Sequence, residues 1–66
     1  MDDLNRLKVV LAEKKRTNKW LSEQLKVAPS TVSKWCTNTS QPDLENLVKM
    51  AKLLEVELTD LVRVKD

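Results

Sequence analysis

Apolar residues in this chain return at three- and four-residue spacing along most of its length, and nowhere do they alternate with period two over a useful stretch. The first period lines one face of a helix, whereas a half-buried strand needs the second. Helices are therefore the only regular element the pattern supports. Leu4, Leu7, Val10 and Leu11 make a first stripe that Asp2 or Asp3 can cap, and Lys14-Lys15-Arg16 supply cations suited to its C-terminal end. Thr17 can cap a second, short helix containing Trp20, Leu21 and Leu25, after which Lys26-Val27-Ala28 leaves three residues for a tight connection. Pro29 has no N–H to donate, which costs nothing in a first turn, so it opens a third helix with Thr31, Val32, Ser33, Lys34 and Trp35. Thr37-Asn38-Thr39-Ser40-Gln41-Pro42 is polar and breaks the pattern. Asp43 caps a fourth helix carrying Leu44, Leu47, Val48, Ala51 and Leu54. Val56 lies in the next connection, and Leu58, Leu61 and Val62 make a final short helix. The expectation is all-α: five short helices in one domain spanning residues 1–66, with no internal repeat.

Sixty-six residues with 41% apolar content can build one small core and no more. No apolar run approaches the ~18 residues of a membrane span, and Met1-Asp2-Asp3-Leu4 has no signal-peptide layout, so a cytoplasmic, nucleoid-associated protein is expected. With no His and one Cys, the chain can build neither a Cys/His zinc site nor an internal disulfide. The absence of Gly excludes the phosphate-cradling loops in which glycines let the backbone approach closely, and also the G-x-S-x-G elbow. Paired carboxylates would need a cleft to raise one pKa, and a small helical domain offers none. The expected protein is not an enzyme and has no metal, cofactor or small-molecule ligand.

Charge is unevenly placed. Residues 1–40 carry eight Lys or Arg against four acids, while residues 41–66 carry four against six. A polyanionic partner would sit on the first part, although a chance asymmetry of a solvated surface reads the same way.

Two short helices joined by three residues, the second opening with small polar residues, have a helix-turn-helix layout over about residues 17–36. The run Thr17-Asn18-Lys19-Trp20-Leu21-Ser22-Glu23-Gln24-Leu25-Lys26-Val27-Ala28-Pro29-Ser30-Thr31-Val32-Ser33-Lys34-Trp35 resembles the Cro/cI-repressor type, also called Xre-like. Gln41-Pro42-Asp43-Leu44-Glu45-Asn46-Leu47, Met50-Ala51-Lys52-Leu53-Leu54 and Val56 extend the resemblance to about residues 4–62. It implies a lambda-repressor-like five-helix fold that binds double-stranded DNA, usually as a homodimer on a two-fold site. By this resemblance Leu21, Leu25, Val27, Val32 and Trp35 hold the two helices together, and Ser22 is small enough for the close crossing where the family prefers Ala. Lys26 stands where the family's turn has Gly and must adopt a positive φ, at about 1–2 kcal/mol. Lys15, Asn38 and Glu55 hold other positions where the family often has Gly. Leu11 and Cys36 replace an Arg–Glu ion pair of many relatives. An apolar contact avoids both desolvation costs but removes one phosphate contact. Cys36 is then a small buried apolar residue, with a redox switch as the less favoured alternative.

The resemblance places the N-terminal part of the third helix against base edges, so the candidates for base contact are Ala28, Pro29, Ser30, Ser33 and Lys34, with Thr37 at the far end. Lys34 can donate to guanine O6 and N7, contact phosphate, or stay solvated. Ser30 and Ser33 can read a base or cap the helix locally. Ala28 or Pro29 can touch a thymine methyl. Without Arg, Asn or Gln on this surface, specificity per half-site is modest, and symmetry or DNA shape supplies the rest. Candidates for phosphate contact are Asn18 and Lys19 at the start of the second helix and Asn38, Thr39 and Ser40 after the third. For Lys14, Lys15 and Arg16 a solvated helix end is preferred to a phosphate contact, and for Trp20 packing on a neighbouring helix is preferred to contact with DNA or a partner chain. The expected function is a sequence-specific, double-stranded-DNA-binding transcriptional regulator, a repressor that dimerises around Leu58, Leu61, Val62 and Val64. A helical protein–protein adaptor is disfavoured by the polar tip of the third helix. An antitoxin-like module is disfavoured because only about four residues follow the last helix to cover a toxin.

Overall fold

A computed structural model describes residues 4–62 as five α-helices: α1 (Leu7–Glu13), α2 (Asn18–Leu25), α3 (Pro29–Cys36), α4 (Leu44–Leu54) and α5 (Leu58–Leu61). Local chemistry sets most of the boundaries. Thr17 Oγ1 accepts from the Trp20 N–H at 3.0 Å and starts α2. Asp43 Oδ1 accepts from the Asn46 N–H at 2.9 Å and starts α4. Pro29 occupies the first turn of α3 after an extended Ala28.

The helix ends share one device. Lys15, Lys26, Asn38 and Glu55 sit at φ 58, 59, 60 and 57°, the left-handed region. After each, the next N–H reaches back five residues: Arg16 to the Leu11 carbonyl at 2.9 Å, Val27 to Ser22 at 3.0 Å, Thr39 to Lys34 at 2.9 Å and Val56 to Ala51 at 3.0 Å. This closure satisfies carbonyls that the helix leaves open, and glycine is its usual pivot. The glycine-free chain makes it four times with side-chain-bearing residues, at about 1–2 kcal/mol each where no local side-chain bond compensates. The positive φ expected at Lys26 is thus present, and the other three Gly-like positions share it.

One core joins all five helices: Leu7, Val10 and Leu11 from α1, Leu21 and Leu25 from α2, Val32, Trp35 and Cys36 from α3, Met50, Ala51 and Leu54 from α4, and Leu61 from α5. Val27 and Val56, which follow two of the left-handed residues, pack partly against it, as do Trp20, Leu47 and Leu53. Ser22 is buried, and its hydroxyl donates to the Lys19 carbonyl at 2.8 Å, so the small polar residue is satisfied within its own helix.

Several expectations are corrected. α1 begins at Leu7 behind Arg6, so Leu4 lies outside the helix and is exposed. Asp2 and Asp3 fall outside the described residues, and the side chain that accepts the Leu7 N–H, at 3.0 Å, is Asn5. On α4 the buried face runs through Met50, Ala51 and Leu54, leaving Leu44 and Val48 exposed; Met50, whose unbranched side chain adapts to the space between packed helices, is fully buried. α5 ends at Leu61, and Val62 instead pairs with Asn5 in an isolated antiparallel bridge. That bridge, with the Arg6 N–H donating to the Leu61 carbonyl at 2.9 Å, joins the two ends of the described chain. Leu61 is fully buried and Val62 half-buried, so the surface expected to bring two copies together keeps only Leu58; Val64 lies outside the described residues.

Candidate nucleic-acid interface

Ser30, Ser33, Lys34 and Thr37 follow i, i+3, i+4, i+7 spacing, and all four are exposed. Val32, Trp35 and Cys36 point the other way, into the core. α3 is therefore a two-sided rod, anchored by its apolar residues and presenting a polar row. Neither serine hydroxyl hydrogen-bonds another group among the described residues, and Ala28, not a serine, occupies the N-cap without a side-chain bond. Local capping does not consume Ser30 or Ser33, so both remain available as donors and acceptors. Ala28 and Pro29 are exposed beside them. No acid lies in the first turn of α2 or α3, so neither positive helix end is neutralised from within its own turn.

Asn18 and Lys19 open α2. Lys19 is exposed, while Asn18 is half-buried with its Oδ1 accepting from the Cys36 thiol at 3.4 Å, an arrangement that leaves its amide –NH2 without a partner among the described residues. Burial pushes the Cys36 thiol above its ordinary pKa, partly offset by Lys8, so the thiol stays protonated as this bond requires. Leu11 and Cys36 both lie in the core, where an apolar pair was expected in place of an ion pair.

Beyond α3 the expected contacts divide. Thr37 Oγ1 lies 3.2 Å from both the Ser33 and Lys34 carbonyls and 2.8 Å from Thr39 Oγ1. When the single Thr37 hydroxyl hydrogen goes to one of those carbonyls, Thr39 donates to Thr37; when Thr37 donates to Thr39 instead, the Thr39 hydrogen is free to turn outwards to an anion. Ser40 is exposed. Asn38 is turned inwards. Its Oδ1 accepts from the backbone N–H groups of Leu4 and Asn5, each at 2.9 Å, and from Gln41 Nε2 at 3.2 Å, while its Nδ2 donates to the Asn5 carbonyl at 3.3 Å. Its side chain is committed within the fold. The residue that sequence reasoning missed is its partner Asn5, whose Nδ2 donates to the Trp35 carbonyl at 2.9 Å and to Gln41 Oε1 at 2.7 Å. No periodicity or spacing signals such a role, because the partners lie at least thirty residues away.

Trp20 is half-buried against the core, and the Arg16 guanidinium covers its ring at 4.6 Å from the centroid. Packing is thus its place, and of the basic run Arg16 is stacked while Lys14 and Lys15 are exposed. Among the described residues no cluster of His, Cys, Asp or Glu could hold a metal ion, and no helix is long and apolar enough to cross a membrane.

The model of a family described as helix-turn-helix matches residues 7–61, nearly the whole described chain. The chain belongs to the helix-turn-helix family. This helix-turn-helix chain is similar to a crystal structure of a candidate DNA-binding protein from Bacteroides fragilis, with 57% identity, a TM-score of 0.90, and coverage of 91% of this chain and 97% of that one. A transcriptional regulator from Listeria innocua shares the fold at 24% identity and a TM-score of 0.76; the match covers 96% of this chain and 64% of that one. No curated protein matches the chain.

Proposed function

We propose that the protein is a sequence-specific transcriptional regulator that binds double-stranded DNA, a repressor that occludes a promoter as a homodimer on a two-fold site. The observation that carries this reading is the exposed polar row of α3, with hydroxyls on Ser30 and Ser33 and an ammonium on Lys34 that have no partner among the described residues, set on a helix whose opposite face is locked into the core. An α-helix presented in this way fits the major groove, where base edges offer acceptors to Lys34 and mixed donors and acceptors to the serines. Ala28 and Pro29 lie at the groove end of the helix and Thr37 at its exit. Asn18 and Lys19 on one side, and Thr39 and Ser40 on the other, grip phosphates and set the register. Membership of the helix-turn-helix family and the likeness to the Bacteroides fragilis protein support the same reading.

The test is selection from a random double-stranded DNA library with the purified protein at two salt concentrations. Enrichment of a two-fold symmetric motif, with affinity falling steeply as salt rises, is the expected result. An asymmetric motif would remove the dimer from the proposal, and the absence of any salt-dependent binding would overturn the DNA reading.

A further inference from the structure

We propose that Asn5 is a positioning residue for the DNA-backbone grip, holding the loop after α3 in place from the side opposite the DNA. The inference rests on the DNA reading above and extends it to a residue outside the helix-turn-helix. Asn5 is 5% exposed, one of two buried polar side chains among the described residues, and every polar atom of its carboxamide is used. Its Nδ2 bonds the Trp35 carbonyl, at the last turn of α3, and Gln41 Oε1, just past the loop. One amide nitrogen therefore pins both ends of Thr37–Ser40, the segment that offers Thr39 and Ser40 to phosphate. Asn38 completes the brace from inside the loop. Its left-handed backbone makes the turn, and its side chain holds the Leu4 and Asn5 N–H groups. Where a glycine would make the turn alone, asparagine both turns and ties. A loop tied at both ends loses little freedom when it meets an anion, so its hydroxyls bind at lower entropic cost.

Affinity for a labelled mixed-sequence duplex at low salt, measured on chains shown to be folded by circular dichroism, tests this. Glu55→Gly, which relieves a left-handed residue remote from α3, offsets the stability lost on cutting the brace. In that background Asn5→Ala should weaken binding about fivefold. It should have no further effect once Thr39 and Ser40 are both alanine, yet multiply fully with Lys34→Ala, because it acts through the loop and not through the groove face. Asn38→Gly keeps the turn and removes the tie, so it should give the same pattern if Asn5→Ala does not fold. Folded variants that bind as tightly as the parent, or that lose the same factor in every background, would overturn the inference while leaving the DNA reading intact. A parent chain that binds no duplex overturns both.

Discussion

The turns into α3 and into α5 are near copies. Each has a side-chain-bearing residue in the left-handed region, Lys26 at φ 59° and Glu55 at φ 57°, and each is followed by a half-buried valine whose N–H reaches back five residues. An extended residue, Ala28 or Glu57, then enters the next helix. The helix entrances themselves are opposites. At α5 the chain fills the entrance with its own acids: the Asp60 carboxylate accepts the Glu57 N–H at 2.9 Å. At α3 the first turn carries no acid, and the hydroxyls of Ser30 and Ser33 are exposed and have no partner among the described residues. The same backbone solution thus serves a helix whose entrance is filled by its own acids and a helix whose entrance is left unfilled, and the side chains alone make the difference.

The contrast breaks first with a charge swap at equivalent positions. Ser30 and Thr59 are each the second helical residue. Ser30→Glu should cost several kcal/mol of DNA affinity by setting a carboxylate into the negative potential of the groove, without lowering the melting temperature, since an acid there suits the helix dipole. Thr59→Glu should leave DNA binding unchanged. Equal losses in a duplex-binding titration would mean that α3 is not the DNA face.

Lys34→Ala comes next, at about 1–3 kcal/mol of affinity. A loss confined to the selected operator assigns Lys34 to a base; an equal loss on every sequence, with a shallower salt dependence, assigns it to phosphate.

A smaller effect tests the sameness of the turns. Lys26→Gly and Glu55→Gly should each stabilise the fold by about 1 kcal/mol, because glycine adopts the left-handed region without the Cβ clash. Thermal melts that rise for one and fall for the other would show that the two turns carry different strain.

The smallest effect is a pH slope. Burial raises the Cys36 pKa above 9.0, so between that ordinary value and the folded one the unfolded chain has lost a proton that the native chain retains. Stability should therefore fall as pH rises through that window, and Cys36→Ala should flatten this part of the slope. Urea titrations at several alkaline pH values read it directly.

How much of this is legible in the sequence depends on the distance over which each feature acts. Thr17, Asp43 and Pro29 declare helix starts because a cap or a missing N–H acts within one turn. The polar row of α3 is equally readable, since its spacing is a property of the helix itself. Which apolar stripe of α4 turns inwards is not, because Leu44-Leu47-Val48 and Leu47-Met50-Leu54 both read as helical faces and only the fit against α2 and α5 chooses the second. Leu61 reads as a contact surface for the same reason: a four-residue helix has no inner face until something packs on it, and the structure buries it.

Asn5 and Asn38 lie at the far end of that scale. Asn5 is an ordinary polar residue in the sequence, and Asn38 reads there as a turn position and a phosphate candidate; nothing pairs the two, and their bonds close across 33 positions. Helix periods, caps and breakers belong to neighbouring residues, so composition and spacing settle the five helices, the connections between them and the polar row, while the left-handed pivots are what the family resemblance implies. The choice of buried face, the joining of the two ends through Asn5 and Val62, and the brace behind the loop arise only when distant segments meet. Burial then makes every unpaired polar atom costly, and the fold selects the partners that satisfy them.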